Sequence, residues 1–230
     1  MNAKDLLIAL FVPLSWGLGF VAAKSGLDHF PPLLIMSLRF FISSFLLVWF
    51  FPIPKGFLVK IFYIAFVSAS LQYGLTFSGL NILDTSTASL LIQTEVIFGI
   101  LTAAIFLKEM PTKKQIVGIL IACIGTIILL GTPSIEGKTF GAILVLSGAF
   151  CWALGQVMVR SLNGKVNGFT LICWIGIFSS PQMLIMSFFI DGNPIPFILS
   201  ASFINWFTVF YLGVIMTVLG YGAWFYILSK

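Results

Sequence analysis

Charge is what this sequence lacks. Only 8% of its 230 residues are Asp, Glu, Lys or Arg, against about 25% in an ordinary soluble domain. So few polar groups cannot cover a chain of this size in water, which excludes a soluble globular protein and leaves lipid as the solvent. Histidine is nearly absent too. His29 is the single one and lies between apolar runs, so no Ser/His or metal constellation is visible and an enzyme is the weakest reading. Cys123, Cys151 and Cys173 lie far apart inside apolar runs without histidine partners, the pattern of small packing residues rather than of a metal site or a disulfide. No Walker motif is present, so ATP is not the direct energy source. No cofactor or metal is expected. Gly17-x-Gly19-x-x-Ala22 imitates a dinucleotide fingerprint, but no strand precedes it and it falls inside an apolar helix, so the match is spurious.

What is present is apolar. Hydrophobic residues make up 60% of the chain and mean hydropathy is +1.12. The net charge of +5 does not point to nucleic acid, because the Lys and Arg residues stand singly or in pairs between apolar blocks and form no continuous basic face. Runs of about 20 mostly apolar residues, the length that crosses a bilayer, occupy 6–24, 31–51, 57–80, 86–107, 114–131, 139–160, 168–190 and 204–228. Between them lie turn-forming segments such as Asp28 to Pro32, Pro52 to Gly56 and Asp191 to Pro196. The first run resembles a signal peptide, with Lys4 before it and Val21-Ala22-Ala23 near its end, but seven further runs make it an uncleaved first span. The expected fold is an all-α membrane protein, an eight-span helical bundle with lipid as its surrounding partner.

Orientation follows from the basic residues. Lys4, Lys55, Lys60, Lys108, Lys113, Lys114, Arg160, Lys165 and Lys230 fall on the side shared with the N-terminus, and only Lys24 and Lys138 on the other. The N-terminus is therefore expected in the cytoplasm.

The chain also repeats itself. Ser15-Trp16-Gly17-Leu18-Gly19-Phe20-Val21 in the first span recurs as Cys151-Trp152-Ala153-Leu154-Gly155-Gln156-Val157 in the sixth. Tyr63 and Tyr73-Gly74 in the third recur as Tyr211 and Tyr221-Gly222 in the eighth, accompanied by Phe62 with Phe210 and Phe77 with Phe225. With five spans per unit, the second copy runs through the membrane in the opposite sense, the arrangement by which secondary transporters rock about a midplane site. The first repeat covers 1–133 and the second 134–230, where only three of five spans are found, so two helices are expected to be missing. Surface left bare by them is expected to be covered by a second copy of the chain, a homodimer.

Several residues within this pattern carry a family likeness: Ser15-Trp16-Gly17, Pro31-Pro32, Leu38-Arg39-Phe40, Ala88-Ser89-Leu90, Gln93, Glu109, Gln115 with Gly118, Cys151-Trp152 and Tyr221-Gly222. On these the chain resembles the EamA family of the drug/metabolite transporter superfamily, and within it the cysteine and O-acetylserine exporters of bacterial inner membranes. The resemblance implies ten spans in two five-span repeats, export of a small metabolite, and a pathway lined from both halves. Glu95 stands where those exporters carry a glutamine, and Lys108 where they carry a small residue.

Two charges fall deep within spans, Arg39 and Glu95. An ionisable group at the bilayer centre costs roughly 2.5–3.5 kcal/mol on insertion scales, which makes each a functional candidate. At ~1.5 Å per residue both lie roughly 12–14 Å from the outer face, in one layer. Three roles stand open for Glu95: a structural ion pair with Arg39, a protonatable carboxylate that couples proton entry to substrate exit, or a neutral acid hydrogen-bonded to backbone or Gln93. Proximity to Arg39 decides among them. Gln72, Gln93, Gln156 and Gln182 either bond between helices or line a polar pathway for a zwitterion. Trp16, Trp152, Tyr73 and Tyr221, paired at matched repeat positions, are candidates for the walls or gates of a central cavity. Gly17, Gly19, Gly74, Gly99, Gly155, Gly220 and Gly222 are expected to admit close helix approach, and Pro13 and Pro181 to kink spans one and seven. The functions in contention are export of a small polar metabolite such as cysteine, O-acetylserine or a related amino acid, a broader drug or metabolite efflux, and a non-transporting remnant.

Overall fold

A computed structural model describes residues 3–108, 110–130 and 136–228. Glu109, Lys230 and the repeat boundary at 133/134 lie outside the described residues, as do the side chains of Lys4, Cys123 and Phe225. Among the described residues the chain is helical, with no strand. A helix satisfies every backbone N–H and C=O within one segment, which is what a long apolar run needs in lipid.

Helix α1 is Ala3–Gly26 and α2 is Pro32–Leu47, started by prolines in the slots where a missing N–H costs nothing. Helix α3, Leu58–Ile82, contains a π-helical stretch at Phe66–Leu71. Helix α4, Thr85–Leu107, is interrupted at Gln93 and ends in a π-helical stretch at Ala103–Leu107. Then follow α5 (Lys113–Leu130), α6 (Thr139–Arg160), α7 (Gly168–Ile190), the short α8 (Ile195–Leu199) and α9 (203–228). Within α9, Tyr211–Leu219 is π-helical.

The ends are capped by sequence. Asp84 Oδ2 accepts from the Thr87 N–H at 2.8 Å and starts α4, and that bond holds the Asp84 carboxyl below its ordinary range. Asn167 Oδ1 accepts from the Phe169 N–H at 2.9 Å and starts α7. Thr112 and Gln115 close a reciprocal capping box on α5, Gln115 Oε1 accepting from the Thr112 N–H at 2.8 Å.

Among the described residues, six helices are long and apolar enough to cross a membrane: α1, α3, α4, α6, α7 and the 203–224 part of α9. Helix α2, at 16 residues, is apolar but shorter. Large apolar side chains face outward, Phe203 at 85% exposure and Phe189 at 81% among them, as lipid contact requires and water forbids. The chain is a multi-pass membrane protein.

Its helices form two compact units, residues 1–62 with 166–230, and residues 63–165. In the first, α2 packs on α7 and on α9, and α1 packs on α9. Gly213 makes the α2–α9 approach possible, since a Cβ there would lie 3.0 Å from the Arg39 carbonyl. In the second, α6 packs on α3 and α4, and α4 also touches α5. Gly141, Gly148 and Gly155 recur every seventh residue on α6 and meet Ile82, Thr76 and Ser68 of α3. With little hydrophobic drive between helices in lipid, such small-residue seams supply the close van der Waals packing.

Candidate functional site

Four of the sequence-selected residues, Trp16, Arg39, Gln182 and Tyr221, belong to the first unit. Trp16 of α1 and Tyr221 of α9 meet with ring centroids 5.3 Å apart at 52°, and Trp224 lies 6.0 Å from Trp16. The Trp16 Nε1–H donates to the Met216 carbonyl at 3.2 Å. Gly220 sits against the indole, where a Cβ would fall 2.7 Å from Nε1. Tyr211 donates its hydroxyl to the Ser15 carbonyl at 3.2 Å. The two motifs of the internal repeat that lie in this unit therefore touch.

Arg39 is fully buried on α2. Its Nε donates to Thr217 Oγ1 at 2.8 Å, and that hydroxyl donates in turn to the Leu212 carbonyl, five residues back, at 2.8 Å. The guanidinium also lies 5.2 Å from the Phe40 ring centroid. The π-helical stretch of α9 thus carries both anchor points, the Met216 carbonyl for Trp16 and the Thr217 hydroxyl for Arg39. A wide turn of this kind leaves backbone carbonyls open to side chains from neighbouring helices, and π-bulges recur at functional sites. Thr217 gives no sign in sequence, where it is one hydroxyl among apolar neighbours.

The other six belong to the second unit. Gln93 and Gln156 line a cavity of about 820 Å³ together with faces of α4, α5 and α6. Val96, Gly99, Ile100, Ala103 and Leu107 form one stripe of α4; Gln115, Gly118 and Ile119 form one of α5; Ala153, Gln156, Val157 and Arg160 form one of α6. The i, i+3, i+4 spacing puts each set on one helix face. From Gln93 to Leu107 the α4 wall runs about 20 Å at ~1.5 Å per residue. Gly99 and Gly118 have nothing within 4 Å of an added Cβ. Gly99, expected to admit a neighbouring helix, leaves open space instead, and Gly17 likewise touches nothing at that point, whereas Gly19, Gly155 and Gly220 do admit close contacts.

Gln93 occupies the interruption of α4. Its N–H bonds to the Leu90 carbonyl at 3.2 Å, and the Val96 N–H bonds to the Gln93 carbonyl, also at 3.2 Å. These tight i−3 turns break the regular ladder between Ile92 and Thr94. Glu95 stands two residues further on and Trp152 one residue before the α6 stripe; neither is among the described lining residues. Gln72 is buried on α3 and donates to Thr76 Oγ1 at 3.4 Å, a bond along its own helix rather than between helices. Tyr73 stacks on Phe77 at 5.8 Å. In the first unit Gln182 donates to the Phe62 carbonyl at 3.5 Å, between helices. The cavity residues Thr112 and Arg160 were not selected as site residues from the sequence, and Gln115 was named only for the family likeness.

A multi-pass helical bundle with an apolar exterior, amides facing an internal cavity and a buried arginine defines a membrane transport protein as a class. The EamA-like transporter family matches residues 3–131 and 139–230. The chain belongs to that family. It is 29% identical over its whole length to a Salmonella typhimurium protein named "probable amino-acid metabolite efflux pump", covering 80% of that protein. An Escherichia coli protein of the same name is 28% identical over the whole chain and is also covered to 80%. An Archaeoglobus fulgidus protein named "uncharacterized transporter" is 29% identical over 99% of the chain, covering 81% of its own length. One solved crystal structure, 17% identical in sequence, superposes with a TM-score of 0.69 over 97% of this chain and 78% of that one, which shows the fold.

Proposed function

We propose that the chain is a secondary transporter that exports a small polar metabolite of the amino-acid class, with cysteine, O-acetylserine or a related amino acid as substrate. The observation that carries this reading is the cavity of the second unit, into which Gln93 and Gln156 bring amides without adding fixed charge. An amide offers donors and an acceptor at once, which matches a zwitterion. The names of the Salmonella and Escherichia relatives support the substrate class.

The reading takes all eight apolar segments as spans, α2 and α5 included, with the N-terminus in the cytoplasm of a bacterial inner membrane as the bias of Lys and Arg directs. Spans one to three recur as six to eight in the opposite sense, so the two halves alternate access to the pathway. A proton or substrate gradient drives the cycle. A proton-coupling role for Glu95, the protonatable alternative among its three roles, is part of the same proposal. Unchanged pH dependence of transport in Glu95→Gln would remove it.

Most of the cavity wall is apolar, which favours efflux of a broader range of compounds as the second reading. Transport rates in proteoliposomes of Gln93→Leu and Gln156→Leu separate the two. Loss of at least about tenfold in O-acetylserine transport by both variants, with normal membrane insertion, supports the metabolite reading, because an unpaired polar substrate group costs roughly 1–3 kcal/mol. Unchanged rates sink it.

A further inference from the structure

Each unit contains one crossing of a tryptophan-bearing helix on a wide turn, and the two crossings share a register. In the first unit Gly19 of α1 meets Met216 of α9; in the second Gly155 of α6 meets Ser68 of α3. Gly19 and Gly155 hold the same place after Trp16 and Trp152, and Met216 and Ser68 each stand five residues before a tyrosine, Tyr221 or Tyr73. The π-helical stretches end immediately before Gly220 and Gln72, the neighbours of those tyrosines. The tryptophans differ. Trp16 is seated against Gly220 and Tyr221, with its N–H bonded to the Met216 carbonyl. Trp152 makes no hydrogen bond and no ring contact among the described residues. A Cβ at Gly220 would lie 2.7 Å from the Trp16 nitrogen, so in the second unit the Gln72 side chain fills the seat that Trp152 would need. Gln72 is itself incomplete: its amide nitrogen donates to Thr76 Oγ1 at 3.4 Å, while Oε1 is buried with no donor. Gly148 and Gly155 of α6 face Gln72 and Ser68, and helical spacing puts Trp152 between them on the flank of the same seam. An unmet donor and an unmet acceptor, both costly in an apolar interior, therefore share one seam.

We infer that Trp152 and Gln72 form a state-dependent latch: in the other state of the transport cycle the Trp152 Nε1–H donates to Gln72 Oε1. The inference rests on the alternating-access reading above, in which inverted repeats exchange conformations, and it supplies the contact that exchanges. Trp16 is latched while Trp152 is not, and Trp152 latches as Trp16 is released. Trp152 adjoins Ala153 and lies one turn from Gln156, both of which line the cavity, so closing the latch shifts a cavity wall.

Fluorine NMR of the full chain in lipid nanodiscs, with its six tryptophans labelled at C5, reads the indoles without a transport assay. Trp152→Phe assigns the Trp152 resonance. Wild type is expected to show Trp152 in two positions, the minor one lost in Gln72→Leu, which removes the acceptor. Trp16→Phe removes the donor of the first latch and should enrich that minor position about fivefold, the worth of one hydrogen bond. Gln72→Met, of similar length, repeats the test if Leu disturbs the fold. A single Trp152 position in both wild type and Trp16→Phe overturns the inference. So does a second position that survives loss of the Gln72 acceptor, because water then meets the indole instead. Counterflow of O-acetylserine in proteoliposomes should fall at least about fivefold in Gln72→Leu, and an unchanged rate overturns the inference too. If the Trp152 positions respond as predicted but wild type moves no O-acetylserine, the exporter reading fails and the latch stands.

Discussion

Trp16 and Tyr221 stand in ring contact, 5.3 Å between centroids, although they lie near opposite ends of the chain. The same indole donates to the Met216 carbonyl at 3.2 Å. One side chain therefore ties α1 to the wide turn of α9 by packing and by a hydrogen bond, and the two contributions separate by substitution. Trp16→Phe keeps an aromatic surface and removes the donor, and is expected to cost about 1 kcal/mol. Trp16→Ala removes both and is expected to cost roughly 3–5 kcal/mol. Thermal unfolding in detergent gives the order; equal losses would show that the hydrogen bond carries the contact alone.

Thr217 is the second anchor of that turn. Its hydroxyl accepts from Arg39 Nε at 2.8 Å and donates to the Leu212 carbonyl at 2.8 Å. Thr217→Val keeps the shape and deletes both bonds, one of them to a buried charge, so it should destabilise by about 2–3 kcal/mol. Thr217→Ser should restore most of the loss. A Thr217→Val protein as stable as wild type would show that the hydroxyl is not what holds Arg39.

Two glycines of the second unit predict opposite outcomes for the same substitution. A Cβ at Gly79 would lie 2.7 Å from the Gly141 carbonyl oxygen and 3.0 Å from the Val145 nitrogen, both backbone atoms of α6. Gly79→Ala must push α3 and α6 apart and should cost roughly 1–3 kcal/mol. A Cβ at Gly99 meets nothing within 4 Å, so Gly99→Ala should be neutral or stabilising by up to about 1 kcal/mol through helix propensity. It narrows the cavity, so a fall in transport with unchanged stability is the expected signature. Equal destabilisation of the two variants would contradict this packing.

Asp191 carries a pH prediction. It follows the last residue of α7, accepts from the Ser187 hydroxyl at 2.8 Å, and is pushed above its ordinary value by burial, against the opposing effect of that bond. A carboxyl whose folded pKa is raised disfavours the fold once it is ionised. The cost is absent below the ordinary carboxylate range, grows as pH rises through the raised value, and is complete above it. Asp191→Asn keeps an acceptor for Ser187 and should stabilise the protein at neutral pH, with the gain vanishing in acid. A gain that persists or increases in acid would reverse the sign.

The membrane class and the helices were readable from apolar run length, since lipid leaves only helices and closed barrels to satisfy the backbone and runs of about 20 apolar residues select the helix. The 139–160 and 168–190 segments coincide with α6 and α7. The apolar run at 31–51 is longer than α2, which stops at Leu47, because hydropathy continues through Val48-Trp49-Phe50-Phe51 where the helix does not. Trp16 and Tyr221 were legible because the repeat marks them. Gln93 and Gln156 were legible because an amide is rare in an apolar run. The π-helical stretches, the Thr217 anchor and the shared face of Gln156 and Arg160 were not, since each depends on which helix packs opposite, and hydropathy holds no record of that. Gly17 and Gly99 look like Gly19 and Gly155 in sequence, and only the neighbours tell them apart.

The central claim, that the chain moves a small polar metabolite, is tested most directly by counterflow. Proteoliposomes holding unlabelled O-acetylserine are diluted into the labelled compound, with protein-free liposomes as the baseline. The account predicts transient accumulation of label that excess cysteine suppresses and a lipophilic cation does not. No accumulation above the baseline, or accumulation suppressed by the cation and not by cysteine, would contradict it.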